Sequence, residues 1–156
     1  MSGQITIRQA VPEDLSRIIE IENLCFPADM AYPPDLFYHY IAAPAHFFYV
    51  ALLHHRFAGF VIAGEIETGE AWIVTLDVHP GSRRRGVGEN LIRHIEGICL
   101  RDGIDRLILQ VAVDNSPALC LYEKLGYKKS DHLADYYRNG EDAFIMEKRI
   151  AAPEGV

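Results

Sequence analysis

Three consecutive arginines, Arg83, Arg84 and Arg85, stand directly before a pair of spaced glycines, Gly86 and Gly88. The chain around them is acidic, with 22 Asp and Glu against 15 Lys and Arg and a net charge of −7. Adjacent like charges followed by flexible glycines are a poor choice for stability alone, so the segment points to a negatively charged ligand. Guanidinium groups supply forked donors to phosphate oxygens, and glycines let the backbone approach them closely.

The position of these residues between a predicted strand at 71–80 and a predicted helix at 87–102 favours the same ligand. The first N–H groups of a helix lack partners, and its dipole is positive there, so phosphate binds readily. The sequence therefore predicts a pyrophosphate site, and a solvated basic turn is the alternative. A P-loop is excluded because Glu89 and Asn90 follow the last glycine, and a dinucleotide fingerprint because Leu91 replaces its third glycine.

Hydrophobic periodicity and turn residues predict the element order β-α-α-β-β-β-α-β-α-β-β. Before the glycine loop we expect a strand at 5–10, helices at 12–25 and 35–43, and strands at 47–54, 56–67 and 71–80. After it we expect a helix at 87–102, a strand at 106–113, a helix at 116–126 capped by Ser116, and strands within 127–137 and 142–150 joined by a hairpin at Asn139-Gly140.

The segment from 71 to 113 is a βαβ unit, which makes its two strands parallel. Most other strands follow one another as hairpins. The predicted fold class is therefore α/β (α+β), a mixed and mostly antiparallel sheet with helices on both faces. A length of 156 residues fits one domain at 1–150, with 151–156 as a flexible tail.

Composition also limits the functional class. No apolar run approaches the roughly 18 residues of a membrane span, and the N-terminus lacks the pattern of a signal peptide. Three widely spaced cysteines indicate reduced thiols and a cytoplasmic location. The acidic balance argues against nucleic acid and anionic membranes as partners, and no spacing of His or Cys predicts a metal.

Two segments of the chain resemble cofactor-binding motifs of the GNAT acetyltransferase superfamily. The predicted order of strands and helices also resembles that of the family along nearly the whole chain. The run from Arg83 to Gly88 resembles the family's acetyl-CoA loop, and "VDNSPALCLYEKLGY" at 113–127 resembles its second cofactor segment. A closer resemblance, to N-terminal acetyltransferases including the ribosomal-protein-alanine type, is carried by "NLCFPADMAY", "FYHYI" and "DYYRNGEDAFIM".

The resemblance implies a GNAT fold in which the central parallel strands splay apart around acetyl-CoA. Backbone groups of Leu76, Asp77 and Val78 would hold the pantetheine arm, and a backbone N–H near Val78 would stabilise the oxyanion. Asn115 would contact the arm, and Tyr122 would protonate the departing thiolate. The pyrophosphate would be held by the segment Arg83, Arg84, Arg85, Gly86, Val87, Gly88 and Glu89.

Gln110 stands where many N-terminal acetyltransferases have Glu or His as a general base. A glutamine cannot accept a proton at pH 7, but it can hydrogen-bond water or substrate. We expect it either to face the cleft, as a catalytic residue, or to make a structural hydrogen bond. Other candidate helpers in proton removal are Glu65, His79, Tyr136 and Tyr137.

The resemblance also implies which residues would bind the amine that accepts the acetyl group. Tyr32, Tyr136 and Tyr137 would line a peptide channel. The implied reaction moves an acetyl group from acetyl-CoA to a primary amine, in a monomer or homodimer. Three acceptor hypotheses stay open: a peptide or protein N-terminal amine, a small-molecule amine, or a catalytically weakened acetyl-CoA-binding module.

Overall fold

A computed structural model describes residues 4–43 and 46–150, so the predicted tail at 151–156 lies outside the described residues. The strands are β1 (Ile5–Gln9), β2 (His46–Leu53), β3 (Arg56–Glu67), β4 (Glu70–Val78), β5 (Arg106–Ala112), β6 (Lys128–Leu133) and β7 (Ala143–Arg149). The α-helices are α1 (Leu15–Cys25), α2 (Pro34–Ala42), α3 (Val87–Arg101) and α4 (Ser116–Lys124). Short 3-10 turns at Pro12–Asp14 and Pro80–Ser82 precede α1 and the glycine loop.

The strands form one sheet in the order β1-β2-β3-β4-β5-β7-β6. The pair β4–β5 is parallel, and each other neighbouring pair is antiparallel. The last strand lies between β5 and β6, so β5 has a partner on each side. The predicted mixed, mostly antiparallel sheet is confirmed.

Helices cover both faces of the sheet, as predicted. On one face α1 and α2 bury Ile18, Ile21 and Phe37 against β2, β3 and β4. On the other, the apolar stripe of α3 packs beside α4; its buried residues include Leu91 and Ile95. Successive side chains of a strand point to opposite faces, so β4 contributes to both cores.

One local prediction was wrong, and another held only in outline. Strands β6 and β7 form an antiparallel hairpin with Asn139-Gly140 in its connection, as predicted, but β6 ends at Leu133 and β7 begins at Ala143. Residues 134–142 form a longer loop that uses left-handed backbone at Asp135 and Gly140. The cap of α4 is Asn115 and not Ser116, since the Asn115 side chain accepts a hydrogen bond from the N–H of Ala118.

Three further features concern the cysteines, membrane-spanning helices and metal-binding clusters. The cysteines Cys25, Cys99 and Cys120, all in the described ranges, are free thiols. No helix within residues 4–43 and 46–150 is long and apolar enough to cross a membrane. The same ranges contain no group of three or more His, Cys, Asp and Glu placed to hold a metal ion.

Candidate active site

The two parallel strands at the centre of the sheet, β4 and β5, separate halfway along their length. Pairing of β4 with β5 runs from Glu70 and Arg106 to Ile73 and Leu109 and then stops. Beyond this point β4 continues to Val78 on β3, and β5 continues to Ala112 on β7. The result is a slot between the two strands, open toward their carboxyl ends and toward the glycine loop.

Backbone groups of β4 face into this slot. The N–H of His79 donates to the carbonyl of Ala58 at 2.7 Å, and hydrogen-bonded pairs alternate along antiparallel strands. Leu76 and Val78 therefore turn their N–H and C=O groups away from β3, toward the slot. Their side chains pack on the α3 and α4 face.

Asp77 departs from its predicted cofactor contact. It lies opposite Phe60 in the β3–β4 ladder, so its backbone groups face β3 and not the slot. Its side chain is 1% exposed and points to the α1 face, where its neighbour is Glu22. Of the three predicted β4 contacts, the backbone geometry retains Leu76 and Val78.

The glycine loop has the conformation that an anion site needs. Arg84 and Gly86 both adopt positive φ, at 64° and 85°. Alternation of right- and left-handed residues curls successive N–H groups into a concavity that accepts anions. The first intrahelical bond of α3 runs from Asn90 to Gly86, so the N–H groups of Val87, Gly88 and Glu89 have no helical acceptor.

Gly88 permits close packing at the mouth of the slot. A Cβ added there would lie 3.1 Å from Leu121 of α4, with the side chains of Val78 and Leu76 at 3.6 and 3.7 Å. The start of α3 is therefore held directly against both α4 and β4. A larger residue would push the exposed N–H groups of the helix away from the slot.

The charged side chains of this loop divide into two groups. Arg84 and Arg85 are exposed beside the helix start, as expected for phosphate contacts. Arg83 instead folds back, with its Nε 3.3 Å from the carbonyl of Val78 and an Nη 3.5 Å from the Cys25 sulfur. Glu89 pairs with Lys124 at 3.0 Å and with Arg93 at 3.1 Å, so only its backbone N–H is available for an anion.

The predicted residues of α4 lie on the other side of the slot. Tyr122 is 6% exposed, and its ring meets Tyr127 edge-on with centroids 5.7 Å apart. Burial, and secondarily the charge of Asp77, raise the pKa of the Tyr122 phenol, so it keeps its proton through the neutral range. Asn115 caps α4 through its side-chain oxygen, which leaves its amide N–H groups for a ligand.

Gln110 makes a structural hydrogen bond. Its carbonyl oxygen accepts the indole N–H of Trp72 at 2.6 Å, and the residue is half-buried. Gln110 is the first residue of β5 beyond the last β4 pair, at Leu109. The bond therefore ties the two strands together where they begin to part. Of the other candidate helpers, Glu65 lies opposite Ala71 near the closed end, and the His79 ring accepts from Gly81 N–H.

The predicted acceptor residues come together from two separate loops. The first loop, residues 26–33, joins α1 to α2, and the second, residues 134–142, joins β6 to β7. Arg138 of the second donates to the carbonyl of Ala31 in the first at 3.2 Å. We call these the acceptor loops.

Three tyrosines line this junction. Tyr136 and Tyr137 meet at a centroid distance of 4.9 Å, and both raise the pKa of Tyr32, after burial itself. The Tyr32 hydroxyl lies 3.4 Å from the carbonyl of Val74. Burial raises the pKa of the Tyr137 phenol to about 12, whereas Tyr136 is exposed.

Sequence reasoning missed a pair of acids beneath the first acceptor loop. Glu22 of α1 and Asp77 of β4 are each 1% exposed and lie in contact. The available signal was Asp77 itself, the one charged residue in the apolar run after Glu70, and Glu22, which lies on the buried face of α1. Their proximity depends on tertiary packing and has no signature along the chain.

Comparison with known proteins decides the family. Residues 15–127, most of the described fold, match the Acetyltransferase (GNAT) family. The chain belongs to the GNAT acetyltransferase family. It is accordingly an acetyl-CoA-dependent N-acetyltransferase, and the resemblance seen in the sequence is confirmed.

Individual relatives cover almost the full length of this GNAT enzyme. It is 30% identical to an N-alpha-acetyltransferase of Saccharolobus solfataricus, over 93% of each chain. It is also 30% identical to a putative [ribosomal protein bS18]-alanine N-acetyltransferase of Bacillus subtilis, over 94% of this chain and 96% of the relative. The crystal structure of the ribosomal-protein-S18-alanine N-acetyltransferase from Escherichia coli superposes with a TM-score of 0.85 at 26% identity, covering 98% of this chain and 99% of that one.

The glycine loop yields a first prediction. Gly86→Val should weaken acetyl-CoA binding about tenfold, because a branched residue at positive φ costs about 1–2 kcal/mol and distorts the loop. Isothermal titration calorimetry measures the change. The matched control is Gly97→Ala in the same helix, where an added Cβ meets nothing within 4 Å. The control should bind normally; equal affinity of Gly86→Val and wild type would exclude the loop from the site.

The fork of the strands yields a second prediction. Gln110→Leu should lower the free energy of unfolding by about 1–3 kcal/mol, because the Trp72 indole N–H loses its acceptor. Gln110→Glu keeps an acceptor and should retain most of that stability. Urea unfolding at pH 7 compares the two, with Gln9→Leu at the exposed end of β1 as the control. A Gln110→Leu protein as stable as wild type would show that the bond contributes nothing.

Proposed function

We propose that this enzyme acetylates the α-amine of peptide or protein N-termini. The observation that carries the proposal is the junction of the acceptor loops, made by Arg138 and the carbonyl of Ala31, on the α1 face of the slot. Tyrosines from both loops offer aromatic surface to an acceptor held beside the slot. The names of the relatives given above, an N-alpha-acetyltransferase and two ribosomal-protein-alanine N-acetyltransferases, support the same acceptor.

The residues around the slot fit acetyl-CoA. The pyrophosphate would lie on the N–H groups that begin α3, with Arg84 and Arg85 supplying positive charge. The slot-facing backbone of Leu76 and Val78 would pair with the amides of the pantetheine arm, as an added strand would. The amide of Asn115 would donate to the same arm. When bound, acetyl-CoA supplies an activated thioester.

Charge stabilisation at the acetyl oxygen would come from the backbone of Val78. Its carbonyl is already engaged by Cys25 and Arg83, at 3.3 Å in each case, which leaves its N–H as the free group. A fixed N–H directed at the developing negative charge stabilises the transition state without reorganisation. The contacts of Cys25 and Arg83 would hold that peptide group in place.

Tyr122 would give its proton to the departing thiolate. Burial raises the pKa of the Tyr122 phenol above its usual value of about 10, so the phenol carries its proton at neutral pH. A thiolate that leaves within the same slot is also withdrawn from water, which makes it a stronger base than a free thiolate and favours transfer within a hydrogen bond. The phenol makes no hydrogen bond to any residue in the described ranges, so its proton is available to a ligand. Its ring packs on Tyr127, which fixes its direction.

The amine would not need a strong base. Gln110 uses its oxygen for Trp72 and cannot take a proton, although its amide N–H groups could still orient the acceptor. An α-amine has a pKa of about 8, so an appreciable fraction is neutral at pH 7. Its remaining proton can pass to water at the open acceptor side.

We also propose that the enzyme works in the cytoplasm, as a monomer or homodimer, without nucleic acid or membrane. Three free thiols and a net charge of −7 support this assignment.

A substrate panel tests the proposed function. Release of free thiol from acetyl-CoA should be fastest with peptides that carry a free α-amine. It should be absent when the same peptides are N-terminally blocked. A panel of amino acids, polyamines and aminoglycosides serves as the comparison. Faster turnover with that panel would replace the proposed acceptor, and no turnover with either would indicate a binding module.

The acid role of Tyr122 yields a further prediction. Tyr122→Phe should lower kcat by about 10²-fold or somewhat more, the usual contribution of a positioned proton donor. Acetyl-CoA affinity should persist because the ring still packs. The matched control is Tyr49→Phe, at a half-buried tyrosine of β2 whose ring meets that of His94 edge-on. A folded Tyr122→Phe enzyme with normal kcat would refute the acid role.

A further inference from the structure

Glu22 and Asp77 form an isolated acidic pair in the interior, between α1 and β4. One oxygen of each is satisfied: Glu22 Oε2 accepts the backbone N–H of Tyr32 at 2.9 Å, and Asp77 Oδ1 accepts the Thr75 hydroxyl at 2.6 Å. The other oxygens, Glu22 Oε1 and Asp77 Oδ2, are buried and receive no N–H or O–H group from the described residues.

Two buried carboxylates in contact cannot both be charged without a large cost. The two carboxyl groups are close enough to act on each other's ionisation, and Glu22 Oε1 and Asp77 Oδ2 are the oxygens left to meet. A carboxyl–carboxyl hydrogen bond needs one proton. With that proton, a continuous line of hydrogen bonds runs from Glu22 of α1 through Asp77 to the hydroxyl of Thr75 on β4.

The pair is placed to hold the first acceptor loop. Glu22 accepts the backbone N–H of Tyr32 near the end of that loop. The Tyr32 hydroxyl donates to the carbonyl of Val74, which lies on β4. Ala31, the preceding residue, receives Arg138 from the second acceptor loop. Loss of the contact between Glu22 and Asp77 would leave the hydroxyl of Tyr32 on Val74 as a link to β4, and would therefore loosen the point at which both loops meet that strand.

We propose that Glu22 and Asp77 share one proton and act as positioning residues, clamping the acceptor loops in the form that binds the peptide. The proposal rests on the proposed function. Because both side chains are buried away from the slot, they act through Tyr32 and do not touch the reacting atoms. Removal of the shared proton would leave two adjacent carboxylates, release the loop and weaken peptide binding.

Burial favours the proton on this pair, and several neighbouring groups oppose it. Burial raises the pKa of both carboxyls, most strongly that of Asp77, and their mutual contact adds to the rise at Asp77. The Thr75 hydroxyl and, to a smaller degree, Arg83 favour the ionised form of Asp77, and the N–H of Tyr32 favours that of Glu22. The remaining titratable neighbours are Cys25 of α1, Tyr32 of the first acceptor loop and Tyr122 of α4.

The sign of the pH effect follows from the raised pKa values. The stability that the shared proton contributes is complete below the ordinary carboxyl pKa of about 4. It is lost as pH rises through the raised pKa of the folded pair. The peptide KM should rise over the same interval, because only the clamped form binds well.

Amide variants separate this role from a merely structural one. In Glu22→Gln the side-chain amide donates to Asp77 and still accepts the N–H of Tyr32, so it supplies the bridging hydrogen permanently. Asp77→Asn does the same from β4 and keeps its acceptor for Thr75. The control is Glu20→Gln, an exposed residue on the same helix.

The experiment measures kcat and peptide KM from pH 6 to pH 9.5, with thermal melts of the ligand-free proteins. Above the apparent pKa of the pair, wild-type KM should rise relative to that of Glu22→Gln by up to about tenfold per pH unit. The melting temperature of wild type should fall relative to both amides, and Glu20→Gln should follow wild type. Using the ratio of two enzymes at each pH cancels titration of the peptide amine.

The contrary outcomes are distinct. Parallel pH profiles of KM, or of melting temperature, in wild type and the amides would overturn the proposal. A difference confined to kcat would make the pair the proton acceptor instead of a clamp. Failure of both amides to fold would contradict the shared proton, because each supplies its hydrogen. If wild type acetylates no peptide, the proposed function fails, and the melts still decide whether the pair holds its proton.

Discussion

The early end of the β4–β5 ladder is the constraint on which the rest of this enzyme depends. Two parallel strands that stay paired to Ile73 and then diverge leave the backbone of Leu76 and the N–H of Val78 without a strand partner in the middle of a sheet. Such groups need partners, and a ligand with its own amides can supply them. The divergence is stable because β3 and β7 hold the outer edges of both strands, and because Trp72 and Gln110 tie them at the fork.

Alternation along β4 then separates two tasks. Leu76 and Val78 direct their side chains to the face of α3 and α4, where the glycine loop and Tyr122 lie. Asp77, between them, points to the opposite face and to α1. One strand thus contributes backbone to the donor site and a side chain to the support of the acceptor loops. A shift of register by one residue would exchange these faces and destroy both.

Local patterns predicted the parts of this arrangement that are local in origin. The order of elements, the parallel pair and the glycine loop follow from hydrophobic period, the βαβ connection and the type of residue that tolerates positive φ. The length of the loop after Leu133 was missed because Asn139-Gly140 has the chemistry of a tight turn, whereas pairing of β6 with β7 already ends at Leu133 and Ala143. The contacts of Glu22 with Asp77 and of Arg138 with Ala31 join residues far apart in sequence, which no local pattern encodes.

The glutamine at position 110 also bears on which group removes the proton of the attacking amine. A carboxylate at position 110 could remove the proton as well as join the two strands. Gln110 joins the strands through Trp72, and in the proposed mechanism the proton passes to solvent. An α-amine needs little help near neutral pH, since its own pKa is about 8. Selectivity must then come from which amine is held beside the thioester and for how long. That requirement falls on the acceptor loops, and it accounts for the concentration of buried polar contacts, from Glu22 through Tyr32, directly beneath them.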